Sequence, residues 1–426
     1  MDLDPKQIEA VNACLDTKRR IVAVTGSAGT GKTSLIKYIA ERMGAAGYSV
    51  AVACPTGKAA KRVFEATGIR AQTIHRLLKF PHPGERDEKT GKPLDTTLPT
   101  KCRADPLEHD FILIDEYAMV PHSLHRQIID AMKPGSGVRV FGDLNQLPPI
   151  ESSDRLRALP TPFNDLLTRF QGIRLDVIHR QGEGSGVVSN GARIISGWSP
   201  TRTDDFNMIV TNDAVDAVMN TVLVFGEKGI DFSTVDNQVI TPQNTRWIGT
   251  HALNAKLQMM YRPEMDGWYN LPRHPWAKPE ESVRIHVGDK VVCTQNNYEI
   301  GSNVPEISGM FNGETGIVTE ISEYGEVLID LGDRIVNVPP EIIVERGERR
   351  YGIKPLMDIQ LAYALTTHKC QGSEYSHIVY VMNKSVRGML NRKNFYTAVT
   401  RARKTATVVT DIPGLSAALS TVAPRF

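Results

Sequence analysis

The sequence predicts an α/β protein built on two parallel sheets, each covered by helices on both faces, with a small antiparallel module set into the second. Three observations carry this reading. Short, continuously apolar runs alternate with helix-like segments along most of the chain, as strands buried on both faces require. A glycine-rich turn, GSAGTGKT at 26–33, stands between one such run and the helix-like stretch SLIKYIAERM. Residues 283–345 instead alternate in short runs broken by Gly-containing turns (VRIHVGDKVVC, GETGIVTEI, GEVLIDLG, RIVNVPPEII), the pattern of a small antiparallel barrel.

Taken in order, Asp4-Pro5 reads as an N-cap followed by Pro at the first helical position. Ile8, Val11, Cys14 and Leu15 then recur at helical spacing, which predicts a helix over 5–18. The expected strands are IVAVT (21–25), YSVAVAC (48–54), FILID (111–115) and VRVFGD (138–143), then NQVIT (237–241), HIVYVM (377–382) and TATVVTD (405–411). Two sets imply two α/β domains. Residues 80–104 are polar with turn signals at Pro-Gly and Thr-Gly, which suits a small hairpin-like excursion. Near the end, YTAVTRAR (396–403) lacks Gly and Pro. As a helix it would align Phe395, Ala398, Val399 and Ala402 in one apolar stripe, leaving Arg401 projecting on the side of Thr397. A projecting arginine usually just meets water, so it acquires a purpose only if something else in the chain needs one.

Composition narrows the classes. At 426 residues, 41% hydrophobic and 23% charged, the chain is an ordinary globular protein with room for two or three domains. With 50 Lys and Arg against 48 Asp and Glu, it has no global cationic field, so a nucleic-acid site must be a local groove. The five cysteines (Cys14, Cys54, Cys102, Cys293, Cys370) are scattered, with no CxxC pair or zinc-spaced His. They suit a reducing cytosol. Neither a secretory leader nor a run of about 18 apolar residues is legible, so the expected location is cytoplasmic, or host cytoplasm if the chain is phage-encoded, without a membrane.

The turn at 26–33 matches G-x-x-x-x-G-K-T in the strand–turn–helix context that the motif demands: glycines let backbone N–H groups curl around phosphates, and the helix N-terminus adds positive potential. Gly26, Ala28, Gly29, Thr30 and Gly31 form the cradle, Lys32 reaches the β- and γ-phosphates, and Thr33 holds Mg²⁺. FILIDE at 111–116 supplies the other half. Asp115 at the end of an apolar strand can hold Mg²⁺, and Glu116 can take a proton from the attacking water. VRVFGDLNQLPPI (138–150) ends a third strand in Gly142, Asp143 and Gln146. The Gln146 amide suits sensing of the γ-phosphate, or simply a loop before a Pro-Pro stop. Together these motifs read as a P-loop NTPase, with ATP and Mg²⁺ as the expected cofactors, and its transition state calls for an arginine from outside the phosphate loop, worth about 10³–10⁵ in rate. Arg401 is one candidate and Arg180, in VIHRQ (177–181), another.

These stretches, with CPTGKAAKR (54–62), AQTIHRLL (71–78), VITPQN (239–244), LNAKLQ (253–258), GDKVVCTQNNY (288–298), MFNGETGIV (310–318) and LAYALTTHKCQGSEY (361–375), occur in an order that resembles superfamily 1B helicases, the branch typified by RecD and the phage Dda helicase. The resemblance spans nearly the whole chain. It implies two RecA-like P-loop domains, the first over 1–79 and 105–172 with a pin insertion at 80–104. The second would cover 173–265 and 352–426, with an SH3-like β-barrel insertion at 266–351. It assigns Gln7 to the adenine, adds Ser34, His179 and Glu374 to the nucleotide contacts, and sends Arg180 and Arg401 to the γ-phosphate. His179 stands where related enzymes carry an aromatic that stacks on adenine. The implied activity is ATP-driven 5′→3′ movement on single-stranded DNA with duplex unwinding; the competing reading is a DNA-binding ATPase subunit of a larger recombination or nuclease complex.

A translocase must grip the backbone because it passes every sequence. Candidate contacts are Pro55, Thr56, Lys58, Thr73 and His75 in the first domain, and Thr241, Asn244, Thr366, Thr367, His368 and Gln371 in the second. The same residue types also serve as caps and turns. Bases would stack on nearby aromatics, with Phe80 and Tyr298 as candidates. Expected partners are single-stranded DNA and its junctions with duplex, besides single-strand-binding, replication or recombination proteins, for a monomeric enzyme.

Overall fold

The computed structural model describes residues 3–81, 95–179, 185–263, 267–272, 283–304, 309–346 and 349–421. They form two compact units, Met1–Glu183 and Gly184–Phe426. In the first unit, strands β1 (Ile21–Gly26), β2 (Val50–Cys54), β3 (Ala71–Thr73), β4 (Phe111–Ile114), β5 (Gly137–Gly142) and β6 (Ile173–Leu175) make one sheet in the order β3-β2-β4-β5-β1-β6. Every pairing is parallel. The helices are α1 (Pro5–Leu15), α2 (Lys32–Ala45), α3 (Gly57–Thr67), α4 (Ile74–Leu77), α5 (His122–Asp130), α6 (Asp154–Arg157) and α7 (Pro162–Arg169).

Successive strand side chains point to opposite faces, and this alternation builds two cores from one sheet. Val22 and Val24 of β1 and Phe111 and Leu113 of β4 join Ala10, Leu35, Ile36, Ile39 and Val63 of α1, α2 and α3. Their neighbours Ala23, Ile112 and Ile114 join Leu124, Ile128, Phe163 and Leu166 of α5 and α7. Each Val, Leu, Ile or Phe side chain among them contributes about 1.5–3 kcal/mol by leaving water. The continuous apolar runs are thus strands covered on both sides.

The second unit repeats the plan. Helices α8 (Gly186–Ser196), α9 (Ala214–Glu227), α10 (Thr250–Tyr261), α11 (Arg392–Val399) and α12 (Ile412–Ser420) accompany a parallel sheet. Its strands are β7 (Phe206–Val210), β8 (Asn237–Thr241), β19 (Ala364–Thr366), β20 (Tyr375–Val381) and β21 (Ala402–Thr410), in the order β19-β8-β20-β21-β7. Between β8 and β19 the chain forms the antiparallel module. Short pairs β9 (Tyr269–Asn270) with β10 (Arg284–Ile285) and β16 (Ile342–Arg346) with β17 (Arg349–Ile353) flank a six-stranded sheet. That sheet comprises β11 (Lys290–Cys293), β12 (Gly301–Ser302), β13 (Thr315–Ile321), β14 (Val327–Asp330), β15 (Ile335–Val338) and β18 (Ile359–Leu361), ordered β12-β15-β14-β13-β11-β18. β11 joins the module to its host: Val291 and Cys293 face the module's own core while Val292 enters the parallel-sheet core. Beside it, the buried carboxylate of Asp289 accepts from Tyr363 Oη at 2.7 Å and from Gln258 Nε2.

Several boundaries differ from expectation. α1 stops at Leu15 instead of 18 because Asp16 leaves helical geometry, and the buried guanidinium of Arg139 in β5 takes up carbonyls there, Cys14 O at 2.7 Å and Asp16 O at 3.1 Å. The first sheet runs past residue 172, since β6 pairs with β1. The antiparallel sheet draws β18 from beyond residue 351. α11 ends at Val399, so Ala402 belongs to β21 and not to the helical stripe. Most of the excursion at 80–104 lies outside the described residues; the part from 95 onward carries a single bridge, Cys102 with Asp105.

Candidate nucleotide and nucleic-acid sites

The phosphate loop is set by where two glycines fall. Gly29 and Gly31 have φ of +85° and +80°, a left-handed region that side chains resist. Gly31 caps α2, so Lys32 opens the helix. A Cβ at Gly31 would come within 2.7 Å of Gln7 Nε2. Inside the loop, Thr30 Oγ1 donates to Ser27 O at 2.9 Å, and Lys32 Nζ donates to Gly26 O at 2.7 Å and Ser27 O at 2.9 Å. Ala28 is half-buried and Ser34 exposed at the rim.

Two residues that the resemblance assigns to the base also hydrogen-bond this loop and its neighbour Asp4. Gln7 is 3% exposed. Its Nε2 donates to Thr30 O at 3.2 Å, while its Oε1 accepts from Asp4 N at 3.2 Å in a capping box on α1. His179 places its backbone N–H on Gly29 O at 2.8 Å and its Nε2 2.8 Å from Asp4 Oδ2. Asp4 therefore holds both; burial pushes its carboxyl up, but the Gln7 amide and His179 outweigh that and leave it below the usual range.

The acids stand at the end of β4. Thr33 Oγ1 donates to Asp115 Oδ2 at 3.1 Å, and Glu116 N donates to Asp115 Oδ1 at 2.9 Å. Burial raises the Asp115 carboxyl, and the Glu116 charge adds to it against the lowering effect of Lys32. Glu116 has φ +53°, a strained conformation for a residue with a side chain. Its Oε2 and the Oε1 of Gln146 are buried with no hydrogen-bond partner. Gln146 follows β5, its backbone N donating to Asp143 O at 3.2 Å. Two strand ends thus converge on one buried polar region. Unsatisfied buried oxygens at this position, beside a hydroxyl–carboxylate pair of the kind Mg²⁺ takes and a lysine at a glycine cradle, fit a magnesium–nucleotide.

In the second unit Arg401 does not project. It is 1% exposed: beyond the end of α11 it turns back, Nε donating to Thr397 O at 3.0 Å and Nη1 to Ser373 O at 3.2 Å. A helix C-terminus favours a cation on its last carbonyls, and α11 ends at Val399, two residues before Arg401. Glu374 is half-buried just before β20. Arg180 lies outside the described residues.

The backbone-gripping candidates occupy matching places. β3 and β2 form one edge of the first sheet, with Cys54 beside Thr73; β19 and β8 form one edge of the second, with Thr366 beside Thr241. Pro55, Thr56 and Lys58 follow β2, Thr73 ends β3, and His75 follows it in α4. Asn244 follows β8, and Thr367, His368 and Gln371 follow β19. Thr56 and Thr73 cap α3 and α4 by accepting from Ala59 N and Arg76 N. Thr241 and Thr367 are fully buried, their hydroxyls donating to Ile248 O and Asn394 Oδ1, both at 2.8 Å; they fasten the strand ends and offer no hydroxyl to solvent. Thr366 is buried, its Oγ1 accepting from Lys369 N at 3.3 Å. Burial lowers the His368 imidazole below its ordinary range. Of the aromatic candidates, Phe80 packs on His75 at 4.7 Å and Tyr298 on Phe311 at 5.3 Å.

Known protein families match two stretches of the chain. A family described as an AAA domain matches residues 2–208, and one described as a UvrD-like helicase C-terminal domain matches 361–409. The ATP-dependent RecD2 DNA helicase of Deinococcus radiodurans is 29% identical over 384 residues, which cover 90% of this chain and 46% of that protein. The RecBCD enzyme subunit RecD of Mycolicibacterium smegmatis is 27% identical over 437 residues, covering 91% of this chain and 68% of that one. The chain therefore spans about half the length of the first relative and about two thirds of the second. The crystal structure of Bacteroides Pif1 bound to single-stranded DNA matches with a TM-score of 0.58 at 19% identity, over 97% of this chain and 93% of that one. The Pif1 helicase from Candida albicans matches with a TM-score of 0.54 at 18% identity, over 96% and 95%. The fold is the mixed α/β, parallel-sheet fold of these helicases. Among the described residues, no helix is long and apolar enough to cross a membrane.

Proposed function

We propose that this chain, which belongs to the superfamily 1B helicases of the RecD and Dda type, is an ATP-dependent DNA helicase that moves 5′→3′ on single-stranded DNA. The observation that carries it is the buried cluster at the ends of β4 and β5. Thr33 and Asp115 stand paired, and Glu116 and Gln146 hold oxygens that nothing else satisfies. In this reading the loop N–H groups and Lys32 bind the phosphates, and Thr33 and Asp115 hold Mg²⁺, which when bound offsets phosphate charge. Glu116 accepts the proton of the attacking water, and Gln146 orients that water. Arg401 and Arg180 balance charge at the γ-phosphoryl, which requires the Arg401 guanidinium to give up its internal carbonyls.

The parallel sheets are then two RecA-like domains whose closure on ATP drives movement, the module of β9 to β18 is the SH3-like insertion, and 80–104 is the pin that meets the duplex. Backbone contacts come from the β2–β3 and β8–β19 edges. Thr56, Lys58, Thr73, His75, Asn244, His368 and Gln371 contribute directly, while Thr241 and Thr367 act by holding the strand ends in place.

The kinship with RecD, a RecBCD enzyme subunit, favours a second reading, a DNA-stimulated ATPase that separates strands only within a larger assembly. One experiment addresses both. The purified chain is given ATP, Mg²⁺ and duplexes bearing either a 5′ or a 3′ single-stranded tail. Strand separation on the 5′-tailed substrate is expected. Hydrolysis without separation on either substrate selects the subunit reading, and a preference for the 3′ tail contradicts the proposed direction.

A further inference from the structure

The loop between β8 and α10 presents four consecutive exposed residues, Asn244, Thr245, Arg246 and Trp247, between buried Pro242 and buried Ile248. Trp247 is 46% exposed. The backbone beneath it is held at five points. Thr241 Oγ1 donates to Ile248 O at 2.8 Å and Gln243 Nε2 to Thr245 O at 3.0 Å. Gly249 N donates to Arg246 O at 3.0 Å, Thr250 N to Gln243 O at 3.1 Å and His251 N to Asn244 O at 3.1 Å. Arg246 adopts φ +69°, and a Cβ at Gly249 would strike the carbonyls of Thr245 and Asn244. A strained, over-determined loop therefore holds a large apolar ring in water.

Two features separate Trp247 from Trp198, the other exposed tryptophan among the described residues. Trp198 is more exposed at 63%, but the Arg193 guanidinium stands over its ring at 5.8 Å. Trp247 has no ring or cation partner among the described residues. Its position is also specific: the carbonyl of the next residue is bonded to Thr241, at the end of β8, where the strand-gripping contacts of the second unit are proposed.

We propose that Trp247 is a base-stacking platform for single-stranded DNA and that Arg246 beside it meets a backbone phosphate. This rests on the helicase reading above. Its chemistry suits a translocase, since every base offers a π-face and stacking discriminates little among sequences. Phe80 and Tyr298, which already pack against other rings, are not needed for this role.

The test uses the full chain, fluorescein-labelled oligodeoxythymidylate and anisotropy titrations over a range of salt. Trp247→Ala is expected to weaken binding about tenfold, with Trp247→Phe restoring most of it and Trp247→Leu little. The dependence of log Kd on log salt keeps its slope in Trp247→Ala, because stacking releases no counterion. In Arg246→Ala the slope shrinks by about 0.7, the share of one phosphate on a single strand. Thermal melting checks that the Trp247 variants fold. Binding by Trp247→Ala within twofold of wild type, or equal rescue by Leu and Phe, overturns the platform while leaving the helicase reading intact. A wild-type chain that binds no oligonucleotide at low salt instead overturns the helicase reading itself.

Discussion

Glu116 combines two costs that a stability-optimised protein would shed. It holds a side-chain residue at φ +53°, and it keeps a carboxylate oxygen buried without a partner next to the Asp115 charge, which it helps to push up in proton affinity. Strain and unpaired charge concentrated at one residue fit a catalytic base more readily than a structural acid. Glu116→Gln is accordingly expected to lower DNA-stimulated hydrolysis by about 10²–10⁴-fold while nucleotide binding persists and the melting temperature holds or rises. A variant that loses stability but keeps turnover would sink the assignment. The side-chain amide of Gln7 bonds Thr30 O and Asp4 N, which ties α1 to the loop that is proposed to meet the phosphates.

At the scale of elements, the strands of the first sheet are clamped at the end away from the phosphate loop. Asp110, just before β4, accepts from Lys133 Nζ at 2.7 Å and from Ser49 N and Oγ at 2.8 Å, Ser49 preceding β2. Its own carbonyl receives Gly137 N at 2.9 Å at the start of β5. The Lys133 contact, followed by the Ser49 bonds, lowers its carboxyl from 3.8 to about 2. The folded state thus binds the proton more weakly than the unfolded one, so this carboxylate's stabilisation is present above about pH 4 and is lost as pH falls through about 2. Asp110→Asn should therefore denature at lower urea than wild type near neutral pH, with the gap narrowing towards about pH 2. A gap of constant size across that range would show that the clamp is not electrostatic. The same scale explains α11, whose C-terminal carbonyl captures the arginine that its apolar stripe would have sent outwards.

For the whole molecule, the proposed mechanism needs the second unit to feel the nucleotide held by the first, and Arg401 is the group through which it would. Arg401→Lys keeps the charge but loses the planar fork. Nucleotide binding is expected to survive in this variant while DNA-stimulated turnover falls by about 10³-fold or more. A melting curve reports separately what the lost bonds to Thr397 and Ser373 cost the fold. Wild-type turnover in a folded variant would leave Arg401 as a strut for the end of α11 and nothing more. The repeated sheet order supports a shared design: in both units the second strand from one edge and the edge strand itself carry the proposed DNA contacts.

Local chemistry alone was enough for the phosphate loop, for the seven apolar runs that became parallel strands and for the antiparallel module. Glycine spacing and side-chain period act over a few residues and are written directly in the chain. The three-residue strands β3, β6 and β19 carry too few residues to show a period, and like β7 they lie at sheet edges where a neighbouring strand pairs with them. Packing decided the rest. Which hydroxyls turn inward, as at Thr241 and Thr367, where α1 stops against Arg139, and whether Arg401 meets water or its own helix all depend on partners far away in sequence, and no periodicity records those.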